Sequence, residues 1–209
     1  MKYLFPVKEP YSISQYFGGN HLGIDIVSEW NTPIYPIAEA VVIDARDYVV
    51  ETARVGKYVR YICKNPYQDG FLEIINGHCS EVLCKNGDVV TPNDIIAKVG
   101  NTGEVTSNGV IIPIDKQGIS PYLGTHDHFA SRKRIEAYVG WELAEFPGFP
   151  KTAVADYTPN KKGYFNPLIL FPELLRAGWK STMAFALFAL MGVKLTDEMR
   201  GKIIQLLNN

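Results

Sequence analysis

The four histidines of this 209-residue chain all fall within three short phrases. These are His21-Leu22-Gly23-Ile24-Asp25, Gly77-His78-Cys79-Ser80 and His126-Asp127-His128-Phe129. Neutral imidazole is the commonest metal ligand, and Asp25 adds a carboxylate at short range, so the pattern points to metal chemistry. Gly18-Gly19 before His21 and Gly23 after it oppose a helix, so His21 and Asp25 do not share a helical face. A loop leading into a strand Ile24-Asp25-Ile26 aims both at one point. His126 and His128, one residue apart, project from the same face of a strand. The constellation this suggests is two imidazoles and one carboxylate on zinc with water in the fourth position, the composition of a catalytic rather than a structural site. Zinc so held lowers the pKa of its water and polarises a carbonyl, and the remaining histidines are placed to serve as general base and oxyanion support. Cys79 beside His78 is a competing nucleophile–base pair, disfavoured because neighbours along a strand point to opposite faces.

Those residues need a scaffold, and the sequence supplies short strands. Pro33–Ile37, Ala40–Ala45, Tyr58–Cys63, Phe71–Ile75, Val89-Val90 and Ile95–Val99 are β-type runs, several alternating at period two. They are punctuated by Gln68-Asp69-Gly70 and Lys85-Asn86-Gly87-Asp88 turns. Many short strands without intervening helical periods predict an antiparallel, mainly β core. Residues 135–163 read as irregular, and 166–171 as a segment closing the β domain. After Pro172 the pattern turns helical, with one helix expected over about 173–191 and a second over 197–207 behind a Thr196 N-cap. The domain division expected is 1–171 for the site-bearing domain and 172–209 for a small helical appendage. Around Met183–Phe188 that segment is apolar on all sides and needs burial, as a small appendage or oligomer contact, with wall binding or insertion against a membrane surface as the alternative.

Composition narrows the classes. With 46% hydrophobic residues, 21% charged residues and a formal net charge of -1, the chain is ordinarily globular. It offers no general electrostatic case for nucleic acid or an anionic membrane as partner. Three cysteines, Cys63, Cys79 and Cys84, cannot complete a disulfide framework and read as reduced thiols. Arg132-Lys133-Arg134 reads as a solvated basic face. The start, Met1–Glu9, lacks a secretory apolar region, and Met183–Val193 is too short to span a bilayer. The expectation is a protein made in the cytoplasm without a signal peptide.

The phrases together resemble the lysostaphin-type (LytM-type) zinc endopeptidases. Phe17–Asp25 resembles that family's opening glycine, histidine, glycine, apolar, aspartate phrase. Asn31–Tyr35 with Ala38–Val42 resembles the next, Gly77–Ser80 stands at its third, and Gly87-Asp88 and Val99–Gly103 match the turns before the final His-x-His-Phe. The resemblance implies an open antiparallel β-sandwich with a groove over one sheet. It implies zinc on His21, Asp25 and His128, a catalytic pair His78 and His126, and hydrolysis of peptide bonds in bacterial cell-wall peptidoglycan. A phage lysin or virion-associated wall hydrolase would account for the missing export signal, with the C-terminal helices as an oligomer or virion contact. The rival readings are a catalytically silent binding or structural member of the same fold and a sugar-phosphotransferase relative carrying a phosphoryl group on histidine. Two departures stand out: Asp127 and Ala130 where the family has Leu and Glu, and an insertion, Val110–Leu123, expected to rim the groove. Asp127 is expected to turn away from the zinc.

Overall fold

The period-two runs form strands in the computed structural model, which describes residues 3–48, 54–65, 70–107, 109–117, 123–134 and 163–171. In chain order they are β1 (Ser12–Gln15), β2 (Gly23–Val27), β3 (Pro33–Ile34), β4 (Ala40–Arg46), β5 (Tyr58–Lys64), β6 (Phe71–Gly77) and β7 (Glu81–Val82). They continue as β8 (Val89–Val90), β9 (Ala97–Lys98), β10 (Thr106–Ser107), β11 (Val110–Ile111), β12 (Asp127–Arg134) and β13 (Tyr164–Phe165). The large sheet runs β1-β2-β12-β6-β5-β4-β8, with β13 added to β12; β3-β9-β7 form a second sheet and β10-β11 a hairpin. All the recorded pairings are antiparallel, so the mainly β architecture expected from the sequence is the one found.

The chain divides into two units, Met1–Pro167 and Leu168–Asn209. Of the second, only Leu168–Phe171 is described, and Pro167–Leu170 is a 3-10 helix. The two helices expected over 173–191 and 197–207 lie outside the described residues. Among the described residues, no helix is long and apolar enough to cross a membrane.

Alternation gives the large sheet two unlike faces. One carries Ile24, Ile26, Val59, Tyr61, Cys63, Leu72, Ile74 and Phe129, none more than 2% exposed. Each such aliphatic or aromatic side chain contributes roughly 1.5–3 kcal/mol of burial. The fully buried Tyr61 satisfies its hydroxyl by accepting from Ile37 N–H at 3.1 Å. The other face is polar. The pairings Asp25↔His128↔Gly77 and Ala130↔Ile75 place Asp25 and His128 on it, and Arg132↔Glu73 continues it along β12 and β6. At the β2–β12 contact, Gly23 leaves no room for a side chain, since a Cβ there would lie 2.5 Å from the Phe129 carbonyl oxygen.

The basic run Arg132-Lys133-Arg134 is not a solvated face. It belongs to β12, where Arg132 and Arg134 are only 11% and 12% exposed at the side chain and Lys133 is 6% exposed overall. For the two arginines the cause is Glu73, which is fully buried on the neighbouring strand. Its Oε1 accepts from Arg60 Nε (3.1 Å) and Nη2 (2.7 Å) and from Arg132 Nε (3.0 Å) and Nη2, and Arg134 Nε lies 3.2 Å from its Oε2. A carboxylate taken out of water needs such partners, and a charge pattern along one strand does not reveal them. Replacing Glu73 by Ala removes the anion these guanidiniums share. The expected loss is about 3–5 kcal/mol, measured as a lower urea midpoint with an unchanged m-value.

Candidate metal centre

Three elements converge on the polar face of the large sheet. His21 sits on a tight turn closed by Gly18 N–H to His21 O (3.1 Å) and His21 N–H to Gly18 O (2.8 Å). The turn delivers its ring beside Asp25 on β2. His128 is carried by β12 directly opposite Asp25. His78 lies just beyond the end of β6 at φ 60°, a left-handed conformation that costs a non-glycine residue roughly 1–2 kcal/mol. That kink turns the His78 ring towards the other histidines and sends Cys79 into the core, fully buried. His126 directly precedes β12, its N–H bonded to Gly100 O at 3.0 Å.

His21 Nε2, Asp25 Oδ1 and His128 Nδ1 form a triangle with sides of 2.9, 3.0 and 3.1 Å. His21 Nδ1 donates to Tyr16 O at 3.1 Å, because a carbonyl only accepts. The Asp25 carboxylate accepts from the ring nitrogens beside it, and a metal cation held between the three atoms would take the place of those protons. A four-coordinate zinc with bonds of 2.0–2.1 Å places its donors roughly 3.3 Å apart, so the trio fits one after a slight opening. The residues named from the sequence as metal ligands are the ones whose donor atoms the structure groups together.

Burial alone would raise the Asp25 carboxyl. The contacts with His128 and His21 and the nearby His126 outweigh it and hold the group well below the usual carboxylate range. The remaining two histidines stand beside the trio, with ring centroids 4.7 Å apart and His126 Nε2 3.7 Å from Asp25 Oδ2. His78 Nδ1 donates to Thr102 O and His126 Nδ1 to Gly124 O, each at 2.7 Å. In both neutral rings Nε2 therefore keeps its lone pair. Burial, with help from His126 and His128, pushes the His78 ring down to about 3. Burial is also the main cause of the lowering at His126. Carbonyl partners of this kind carry no signature in a sequence; the only trace of Thr102 was the turn phrase Val99–Gly103.

Two adjoining clefts share Asp25 and His126. One, of about 340 Å³, is lined by His21, His78, His128, Arg54 and Glu104. The other, of about 520 Å³, is lined by small polar groups, including Ser14, Ser28, Thr106, Ser107 and Thr125. Thr106 and Ser107, which line that cleft, pair with Val110–Ile111 at the start of the inserted segment. Asp127 points the other way, fully buried, with Asn76 Nδ2 donating to its Oδ2 at 2.7 Å. Burial raises its carboxyl to about 8.

A mainly β chain that closes a His–Asp–His trio and two further histidines around one cleft has the parts of a metallohydrolase. Comparison with family models narrows the class: residues 19–122 match peptidase family M23, and the chain belongs to that family. The matched span contains His21, Asp25 and His78 and stops just short of the paired histidines. LytU is 28% identical, with 67% of this chain and 83% of that one covered and a TM-score of 0.45. A zinc containing peptidase from Vibrio cholerae is 21% identical, with 68% and 40% covered and a TM-score of 0.45. Lysostaphin from Staphylococcus simulans is 20% identical, with 62% and 45% covered and a TM-score of 0.42. The chain thus spans less than half of the last two. No curated protein matched.

Two outcomes are expected. Asp25→Ala weakens divalent-metal binding, measured by competition with a chromophoric chelator. The loss exceeds the roughly 10–100-fold cost of removing a ligand's hydrogen-bond partner. Burial pushes the thiols up, Cys63 to about 12, Cys84 to about 11 and Cys79 well above its ordinary value. Iodoacetamide at neutral pH therefore labels the native protein slowly and leaves its activity intact.

Proposed function

We propose that the protein is a zinc-dependent endopeptidase that hydrolyses peptide bonds in bacterial cell-wall peptidoglycan, in the stem peptide or the cross-bridge. The observation that carries this reading is the triangle of His21, Asp25 and His128 with the Nε2 lone pairs of His78 and His126 beside it. Membership of a peptidase family supports the reaction class.

In this reading His21 Nε2, Asp25 Oδ1 and His128 Nδ1 hold the metal. Zinc, when bound, supplies a Lewis acid for the scissile carbonyl and makes an attacking water more acidic. His78 and His126 do the proton work. Each has Nδ1 anchored to a backbone carbonyl, so each presents Nε2 to the cleft without rotating. One takes the proton from water at Nε2 as the C–O bond forms. The imidazolium so formed steadies the developing oxyanion, with the second ring beside it. When the C–N bond breaks, the abstracted proton passes to the leaving amine, giving a carboxylate and a new amino terminus. Burial of both rings keeps them neutral before substrate arrives. The clefts on either side of Asp25 and His126 are suited to an extended peptide lying across the metal.

Digestion of purified peptidoglycan with mass spectrometry of the released fragments tests this. The native protein is expected to create new amino and carboxyl ends. His126→Ala is expected to retain zinc and lose roughly 10²–10⁴-fold in rate. Chelator dialysis should abolish cleavage, and added zinc should restore it. No cleavage by the zinc-loaded native protein would sink the proposal and favour a silent binding role.

A further inference from the structure

The inserted segment has no part in the reaction above, yet one of its side chains reaches the turn that orients His78. Gln117 Oε1 accepts from Gly103 N–H at 2.7 Å, and Gln117 Nε2 donates to Gly103 O at 2.6 Å and to Ile112 O at 3.0 Å. The side-chain amide thus pairs with both polar groups of one backbone residue, much as a neighbouring strand would. Gly103 is at φ +87°, and a Cβ there would meet Gly56 N at 2.3 Å and Arg54 O at 2.6 Å. The turn can carry no side chain at this point, so its orientation has to be fixed from outside.

The Thr102–Gly103 peptide is one rigid plane. On one edge its C=O accepts the His78 Nδ1 proton, and on the other its N–H donates to Gln117. Rotating that plane about its flanking bonds would take the carbonyl away from His78. The Thr102 side chain holds the plane from the core side, with Oγ1 donating to Cys79 O and accepting from Lys57 N–H. Gln117 holds it at the Gly103 N–H. A hydrogen bond accepted from the N–H also polarises the carbonyl and strengthens its hold on the imidazole.

We propose that Gln117 is a positioning residue for His78, acting through the Thr102–Gly103 peptide, so that the inserted segment belongs to the catalytic apparatus. The inference rests on His78 acting in the peptidase reaction proposed above.

The test compares zinc-loaded native protein with Gln117→Ala and Gln117→Met, the second preserving side-chain length should the first fold poorly. Expected is a fall in kcat on the order of 10–100-fold, with KM and bound zinc unchanged. The His78 Nδ1 proton, followed by nitrogen-15 NMR, is expected to exchange faster and to shift in both variants. That signal is independent of turnover, so an inactive native protein would end the peptidase reading while leaving the positioning claim to the NMR arm. A native kcat in the variants, a rise in KM alone, or an unaltered His78 signal would each overturn the inference.

Discussion

The site depends on the register of β12 between β2 and β6. Because side chains alternate, a slip of one residue would turn His128 into the core and bring Asp127 or Phe129 to the polar face. Several features hold the register. Phe129 and Asp127 are buried on the core side, Asn76 reaches across to Asp127, and Arg132 is drawn to Glu73 on the polar side. With those fixed, His128 falls opposite Asp25, its Nδ1 3.0 Å from the carboxylate.

The chemistry then follows from nitrogen and oxygen atoms held close together in a poorly hydrated cleft. Three of the histidines have Nδ1 committed to a backbone carbonyl, at Tyr16, Thr102 and Gly124. The tautomers are therefore set by the fold. His21, anchored in this way, turns Nε2 to the triangle, whereas His78 and His126 turn Nε2 to the neighbouring space. His128 enters the triangle through Nδ1 instead. His21 and His128 thus reach the trio through different nitrogens, while His78 and His126 stand beside it.

Much of this was legible in the sequence. Period two over Tyr58–Cys63 announced β5, the Gln68-Asp69-Gly70 turn announced β6 after it, and the glycines around His21 opposed a helical metal motif. Spacing brought His21 to Asp25 and His126 to His128, and the resemblance added His78; the fold groups all five. Other features were hidden for physical reasons. The burial of Arg132 and Arg134 depends on Glu73, far away in sequence and on the neighbouring strand, so the run looked like an exposed face. Cys79 turned from the site as expected, but through the left-handed backbone of His78 rather than strand alternation. The backbone carbonyls that orient the rings, and the reach of Gln117 to Gly103, depend on loop conformation, which composition does not encode.

The triangle of His21, Asp25 and His128 also joins metal supply to the lifetime of the chain. The three atoms lie about 3 Å apart only in the folded state, so a cation held by all of them binds the native form alone. Any ligand bound only by the native form adds RT ln(1 + [L]/Kd) to its stability, or about 1.4 kcal/mol for each tenfold excess. A molecule starved of metal is therefore the one most exposed to proteases. In a surrounding rich in such enzymes, the pool that persists is enriched in loaded protein, and turnover itself acts as quality control on the centre.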